Sequence, residues 1–272
     1  MENNNYAPVT VVIPCFRCAA TIGRAIESII EQTQLPREVI LVDDASDDNT
    51  LELLKVFEQK YPEWITVIEL KENNGAASAR NAGWTFATQP YIALLDADDS
   101  WHPGKIACQY EFMRTHPEVA LCGHDYCLSN QSDEQETLIL PLAFETIGMY
   151  QLLFSNPFVT PSVMVKSGIP FRFMQGQRYI DDHLLWMEIV LAGLTVVKLS
   201  APLTKIYKGL YGEAGLSSHL WSMEKSELYN YWYLYKTRRM SLLLMLFFEF
   251  FSLAKYLRRL LIIGSKKVCA LF

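Results

Sequence analysis

The chain has 272 residues, 50% hydrophobic and 20% charged, a globular composition with enough apolar material for one large core or two small ones. Its net charge of −6 excludes a general nucleic-acid binder, which would carry a basic surface. The charge is unevenly spread: from residue 236 onward eight Lys/Arg face one acid, Glu249, so the tail carries +7 and the preceding body −13.

The N-terminus "MENNNYAP" lacks the basic and apolar stretches of a signal peptide, which predicts a cytoplasmic start. Six cysteines show no disulfide or zinc framework. Cys15 and Cys18 have CxxC spacing, but Cys122 and Cys127 are no second pair and no His-x-x-x-His follows. Reduced, buried thiols are expected.

"VTVVIP" (9–14) is a β-branched run closed by proline and reads as a buried strand. "ATIGRAIESIIEQ" follows, with Ile22, Ala25, Ile26, Ile29 and Ile30 at helical spacing. "EVILVDD" (38–44) is the second strand, and "NTLELLKVFEQK" a helix capped by Asn49 or Thr50. "WITVIEL" is the third strand, "NNG" a turn, "AASARNAGWTFAT" the third helix and "YIALLD" the fourth strand. Strands alternating with helices over 8–100 predict a parallel, doubly wound α/β sheet. Beyond Trp101, "PGKIACQYEFMRTHP" reads as helix, "VALCGHDYCL" as strand and "SNQSDEQET" as a polar loop. A short helix near 147–154, strands at "SVMVK" and "TVVKLS", and a helix at "DHLLWMEIVLAG" complete the body.

In an open parallel sheet, ligands sit outside the carboxyl ends of the strands. The first strand ends at Pro14-Cys15-Phe16, the second at Asp43-Asp44, and the fourth runs into "DADD", with Asp96, Asp98 and Asp99. Acids clustered this tightly repel, and a divalent cation completed by substrate phosphates relieves the repulsion. Arg80, early in the third helix, is placed to reach the same rim and contact phosphate or base.

In this order, "VVIPCFRCAATIGRAIESIIEQT", "EVILVDDASDDNT", "NNGAASARNAG", "YIALLDADD" and "YIDDHLLW" resemble the family-2 glycosyltransferases. The resemblance implies a GT-A fold, a Rossmann-like and mostly parallel sheet flanked by helices. It also implies inverting transfer from a nucleotide-sugar donor, commonly a UDP-sugar, with Mn²⁺ or Mg²⁺. Pro14 and Phe16 would lie by the base, Asp44 would bond to it, Arg80 would serve the donor, and Asp96 would lie by the ribose. Asp98 would bind the metal on the diphosphate. Asp182 falls where the family has its catalytic base, and Asp181 stands where the family more often has Glu. The catalytic domain is expected over 1–220, its nucleotide-binding half at 8–100 and its acceptor-side half at 101–220.

Each site has a plainer alternative. For Asp181 or Asp182 the alternative is a helix cap alone, Trp186 is expected in the core rather than stacked on an acceptor, and His183 is not expected to bind a ligand. A non-catalytic sugar-nucleotide module is the alternative function. A receiver-like signalling domain fits less well, because its acidic pair would sit on the first strand.

The tail, 221–272, is apolar and basic, but its longest uninterrupted apolar run (242–248) is short for a spanning helix. As a helix, Glu249, Ser252, Lys255, Tyr256 and Arg259 share one side. This predicts an amphipathic helix on an anionic membrane surface, suited to a lipid-linked or glycan acceptor and a peripheral place on the inner face of the cytoplasmic membrane. A core helix or a dimer contact is the alternative. "YKGLYGEAGLSSHLW", glycine-rich, is expected as an acceptor loop.

Overall fold

A computed structural model describes residues 6–129, 142–207 and 219–269, with side chains to 262. The polar loop expected at 129–137 and the glycine-rich segment at 207–221 lie almost wholly outside the described residues.

The first half follows the sequence pattern closely. Strands β1 (Tyr6–Cys15), β2 (Leu35–Asp43), β3 (Ile65–Glu69) and β4 (Tyr91–Leu94) are all parallel, in the order β3-β2-β1-β4. Helices α1 (Ile22–Ile30), α2 (Thr50–Lys60) and α3 (Ala76–Phe86) connect them. β1 reads as an unbroken apolar run because both its faces are covered. Val9, Val11 and Ile13 join one core cluster while Val12 joins the other. On α1, Ile22, Ala25, Ile26 and Ile29 are buried, and Ile30, at the end of the stripe, is 38% exposed. α3 lies close on β1 because Gly83 faces it: a Cβ there would stand 2.4 Å from Val12 Cγ1.

The second half is mixed. After β5 (Ser100–Trp101) and α4 (Lys105–Thr115) come β6 (Val119–Leu128), β7 (Phe144–Thr146), α5 (Met149–Phe154), a 3₁₀ turn (Thr160–Ser162), β8 (Met164–Lys166), α6 (Asp181–Leu191) and β9 (Thr195–Ile206). β8 inserts antiparallel between β4 and β6, whereas β6 and β9 are parallel, so the sheet is only mostly parallel. β5 and β7 pair antiparallel with β9, and at two and three residues neither is long enough to show a period in the sequence.

Helices α7 (Leu220–Lys236) and α8 (Leu242–Cys269) end the described chain. They dock on the body. Tyr231, Leu234, Met240, Met245 and Phe248 share one core cluster with Trp186, which is fully buried as expected. Cys15, Cys18 and Cys122 are free, buried thiols.

Candidate active site

The fold brings Arg80, Asp96, Asp98, Asp99, Asp181 and Asp182 around one cleft of about 330 Å³. The wall opposite the strand tips comes from the segment around Thr160 and Pro161 and from the approach to α6. Pro14, Phe16 and Asp44 end the neighbouring strands β1 and β2 but do not line this cleft.

The three acids after β4 have three different fates. Asp96 accepts from Arg80 Nη2 at 2.7 Å. Asp99 is buried, and its Oδ1 accepts the Tyr207 backbone N–H at 3.3 Å. Asp98 lines the cleft, and Arg24 holds its carbonyl oxygen through Nη2. The Arg24 guanidinium lies 3.6 Å from the centre of the Tyr207 ring, bracing the turn from behind. The sequence did not mark Arg24 as part of this site, because it lies more than 70 residues from the turn it supports.

Arg80 lines the cleft and is buried, at 6% exposure. Its Nη1 donates to Asp181 Oδ2 at 3.4 Å while Nη2 holds Asp96. Burial pulls its pKa down, but the carboxylates of Asp96, Asp181 and Asp182 outweigh that, and the guanidinium is held above its ordinary value. The expected phosphate-reaching cation is therefore already committed to two carboxylates, Asp96 after β4 and Asp181 on α6. Asp181 is the other partner of this buried pair. Burial pushes its carboxyl up to about 6, opposed by Arg80 and reinforced by Asp182.

Asp182 stands one residue into α6. Its Oδ2 accepts from Thr160 Oγ1 at 3.0 Å and from Asn156 Nδ2 at 3.4 Å, and its Oδ1 accepts the His183 N–H at 2.7 Å. The N-cap of α6 is Ile180, so neither acid occupies the cap position. Both lie in the first turn of the helix. His183 is buried, and its Nε2–H donates to the Leu152 carbonyl, as a core histidine does.

Asp44 is 2% exposed, and both its oxygens accept backbone N–H groups, from Asn74 at 3.0 Å and Gly75 at 2.8 Å. It thus shapes the "NNG" turn, where Gly75 takes φ +87°, a conformation that suits glycine. Phe16 is 42% exposed at the tip of β1, under the guanidinium of Arg17. Arg178 and Tyr179 also line the cleft; Tyr179 opens the "YIDDHLLW" motif, but neither was given a role from sequence.

The carboxylates after β4 are of the kind that suits a divalent cation. Among the described residues no three His, Cys, Asp or Glu side chains form a ready-made cage. Asp96 and Asp98, two residues apart on one turn, offer hard oxygen donors facing a cleft. Mg²⁺ and Mn²⁺ sites of this kind use one or two carboxylates and take the remaining oxygens from substrate phosphates and water.

A mostly parallel sheet with carboxylates gathered at its strand ends, and a second acidic site entering from a late helix, agrees with the GT-A fold that the sequence resemblance implied. Residues 10–169 match glycosyl transferase family 2, and the chain belongs to that family. It is 37% identical over 190 residues to the UDP-Glc:alpha-D-GlcNAc-diphosphoundecaprenol beta-1,3-glucosyltransferase WfaP of Escherichia coli, covering 68% of this chain and 71% of WfaP. Two solved structures share the fold. One is the Pyrobaculum calidifontis mannosyltransferase PcManGT in complex with GDP-Man and Mn²⁺, with TM-score 0.62 and 19% identity, over 98% of this chain and 81% of that one. The other is Staphylococcus aureus TarS 1–349 with UDP-GlcNAc, with TM-score 0.64 and 16% identity, over 82% and 66%.

Proposed function

We propose that the protein is an inverting, metal-dependent glycosyltransferase that moves a sugar from a UDP-sugar to a hydroxyl of a lipid-linked polysaccharide precursor. The observation that carries this reading is that Asp98 and Asp182 line one cleft, with Arg80 tied to both Asp96 and Asp181. Inverting transfer needs a carboxylate on the acceptor side to take the hydroxyl proton as the new glycosidic bond forms. Asp182 is that base: Thr160 and the His183 N–H orient its carboxylate, and it lies in the cleft. Asp98, with Asp96 beside it, would hold the cation, which supplies positive charge to the departing diphosphate. Pro14, Phe16 and Asp44 mark the base end of the donor site, on β1 and β2. WfaP, named for UDP-Glc and a diphosphoundecaprenol acceptor, supports the donor and acceptor classes.

The test is a donor screen: the full chain with individual UDP-sugars and Mn²⁺ or Mg²⁺, reading released UDP. Turnover of at least one UDP-sugar is expected. Calorimetric binding of UDP-sugars without turnover, even with a polyprenyl-diphosphate sugar as acceptor, would make the chain a non-catalytic binding module.

We further infer that α8 docks the enzyme on an anionic membrane, at the inner face of the cytoplasmic membrane. No helix among the described residues is long and apolar enough to cross one. α8 nevertheless presents a broad apolar face outward, beyond the apolar residues it buries against the body. Ser252 is buried, and Lys255 points inward to Glu227 at 3.2 Å, while Leu243, Phe250, Leu257 and Leu261 are each at least 60% exposed. Exposed Arg238 and Arg258 supply the positive charge that an anionic surface complements. The intact chain is expected to sediment with phosphatidylglycerol vesicles, less so as salt rises, and Leu243→Glu/Phe250→Glu should abolish sedimentation. Point changes are needed because removing 240–272 would also take Met240, Met245 and Phe248 from the core. If the intact protein stays in the supernatant at low salt, the apolar face belongs to a protein contact.

A further inference from the structure

The acids of α6 are aimed by a backbone in an unfavourable conformation. Ile180, which precedes Asp181, has φ +54° and ψ +29°, the left-handed region. For a β-branched residue this is a genuine outlier, and such strain persists only where surrounding groups over-determine it.

Those groups are two side-chain amides. Asn230, fully buried on α7, donates through Nδ2 to the Ile180 carbonyl at 3.1 Å. Gln177 donates through Nε2 to the same carbonyl at 3.2 Å, to the Tyr179 carbonyl at 2.9 Å and to Asn230 Oδ1 at 2.9 Å. One peptide is thus gripped from two directions, and the residues that follow it are Asp181, bound to Arg80, and Asp182 in the cleft. Neither amide lines the cleft.

We propose that Asn230 and Gln177 are positioning residues, which hold Ile180 left-handed so that α6 presents Asp182 to the acceptor side of the cleft. This rests on the reading of Asp182 as the base. It also makes α7 a working part of the catalytic centre as well as packing beneath it. Without the clamp, Ile180 relaxes toward ordinary φ and the first turn of α6 swings. A displacement of about 1 Å at a reacting group costs roughly 10²-fold in rate. The strand tips that bind the donor are not touched.

The experiment is a double-mutant cycle of Asn230→Ala with Ile180→Gly, read by UDP release and by thermal melting. Glycine occupies the left-handed region without needing to be held. Asn230→Ala is expected to lower kcat by roughly 10²-fold with the donor KM within about twofold. Adding Ile180→Gly should restore kcat at least about tenfold, and the melting temperatures should couple, the second change costing less than it does alone. Gln177→Ala, on a partly exposed loop, should show a smaller kcat loss and serves if Asn230→Ala fails to fold, with the same glycine rescue. Wild-type kcat in both single variants, or a loss that glycine does not rescue, overturns the proposal. Should the wild type turn over no UDP-sugar, the proposed function fails instead. The melting cycle then still decides the clamp, since additive shifts would refute it and coupled shifts support it.

Discussion

Replacing Asp98 by Asn is expected to lower turnover by about 10²–10³-fold, the scale on which removal of one electrostatic stabiliser of a developing charge is felt. The loss should appear in donor affinity as well as rate, since the residue is assigned to the cation that binds the diphosphate. Stability should change less than turnover, because groups besides this carboxylate also hold the turn. Arg24 grips the Asp98 carbonyl, Asp99 accepts the Tyr207 N–H, and the Asp99 N–H donates to the Asp96 carbonyl at 3.1 Å. Asparagine keeps the size and one oxygen but removes the charge a hard cation requires. UDP-release kinetics across Mn²⁺ concentrations, beside a melting curve, make the measurement. Wild-type turnover by the variant, or full wild-type activity in excess chelator, would remove the metal role from Asp98.

How far the sequence announced this site depended on the distance over which each residue acts. β1 to β4 and α1 to α3 were legible because buried parallel strands and an amphipathic helix impose local periods. Their order alone placed Asp44, Asp96 and Asp98 at one sheet edge. The antiparallel insertion of β8 was not legible, since a three-residue strand carries no period and its direction is set by its neighbours β4 and β6. Arg80 was found as a rim residue, but its commitment was not. The pairing with Asp181 spans 101 residues and arises only when α6 returns over the sheet. The left-handed Ile180 was invisible for a related reason: a β-branched residue is the last that local propensity would put there, so only the tertiary clamp explains it. In the tail, the shared side of Ser252, Lys255 and Arg259 was legible as a face, but what it meets was not, because its partner Glu227 lies on a different helix, 28 residues from Lys255.

Asp182→Asn separates proton transfer from donor binding. The substitution keeps the side-chain shape, and the retained oxygen can still accept the His183 N–H, so α6 should form as before. Asparagine at this position cannot take a proton from a hydroxyl at neutral pH. Transfer is therefore expected to fall by roughly 10²–10⁴-fold. UDP-sugar binding in the presence of Mn²⁺ should stay within a few-fold of wild type, because the proposed donor-binding carboxylates Asp96 and Asp98 follow β4 whereas Asp182 stands on α6. Asp98→Asn should show the reverse balance, with donor affinity lost together with rate. If the acids of α6 served only the helix N-terminus, Asn would substitute well, and both stability and transfer would survive. Calorimetric UDP-sugar binding and a transfer assay on the two variants make the comparison. Near-wild-type transfer by Asp182→Asn would reduce this residue to a support for α6 and would move the search for the base to Asp181. The carboxyl of Asp181 is pushed up to about 6 by burial, and it too lines the cleft beside the acceptor wall.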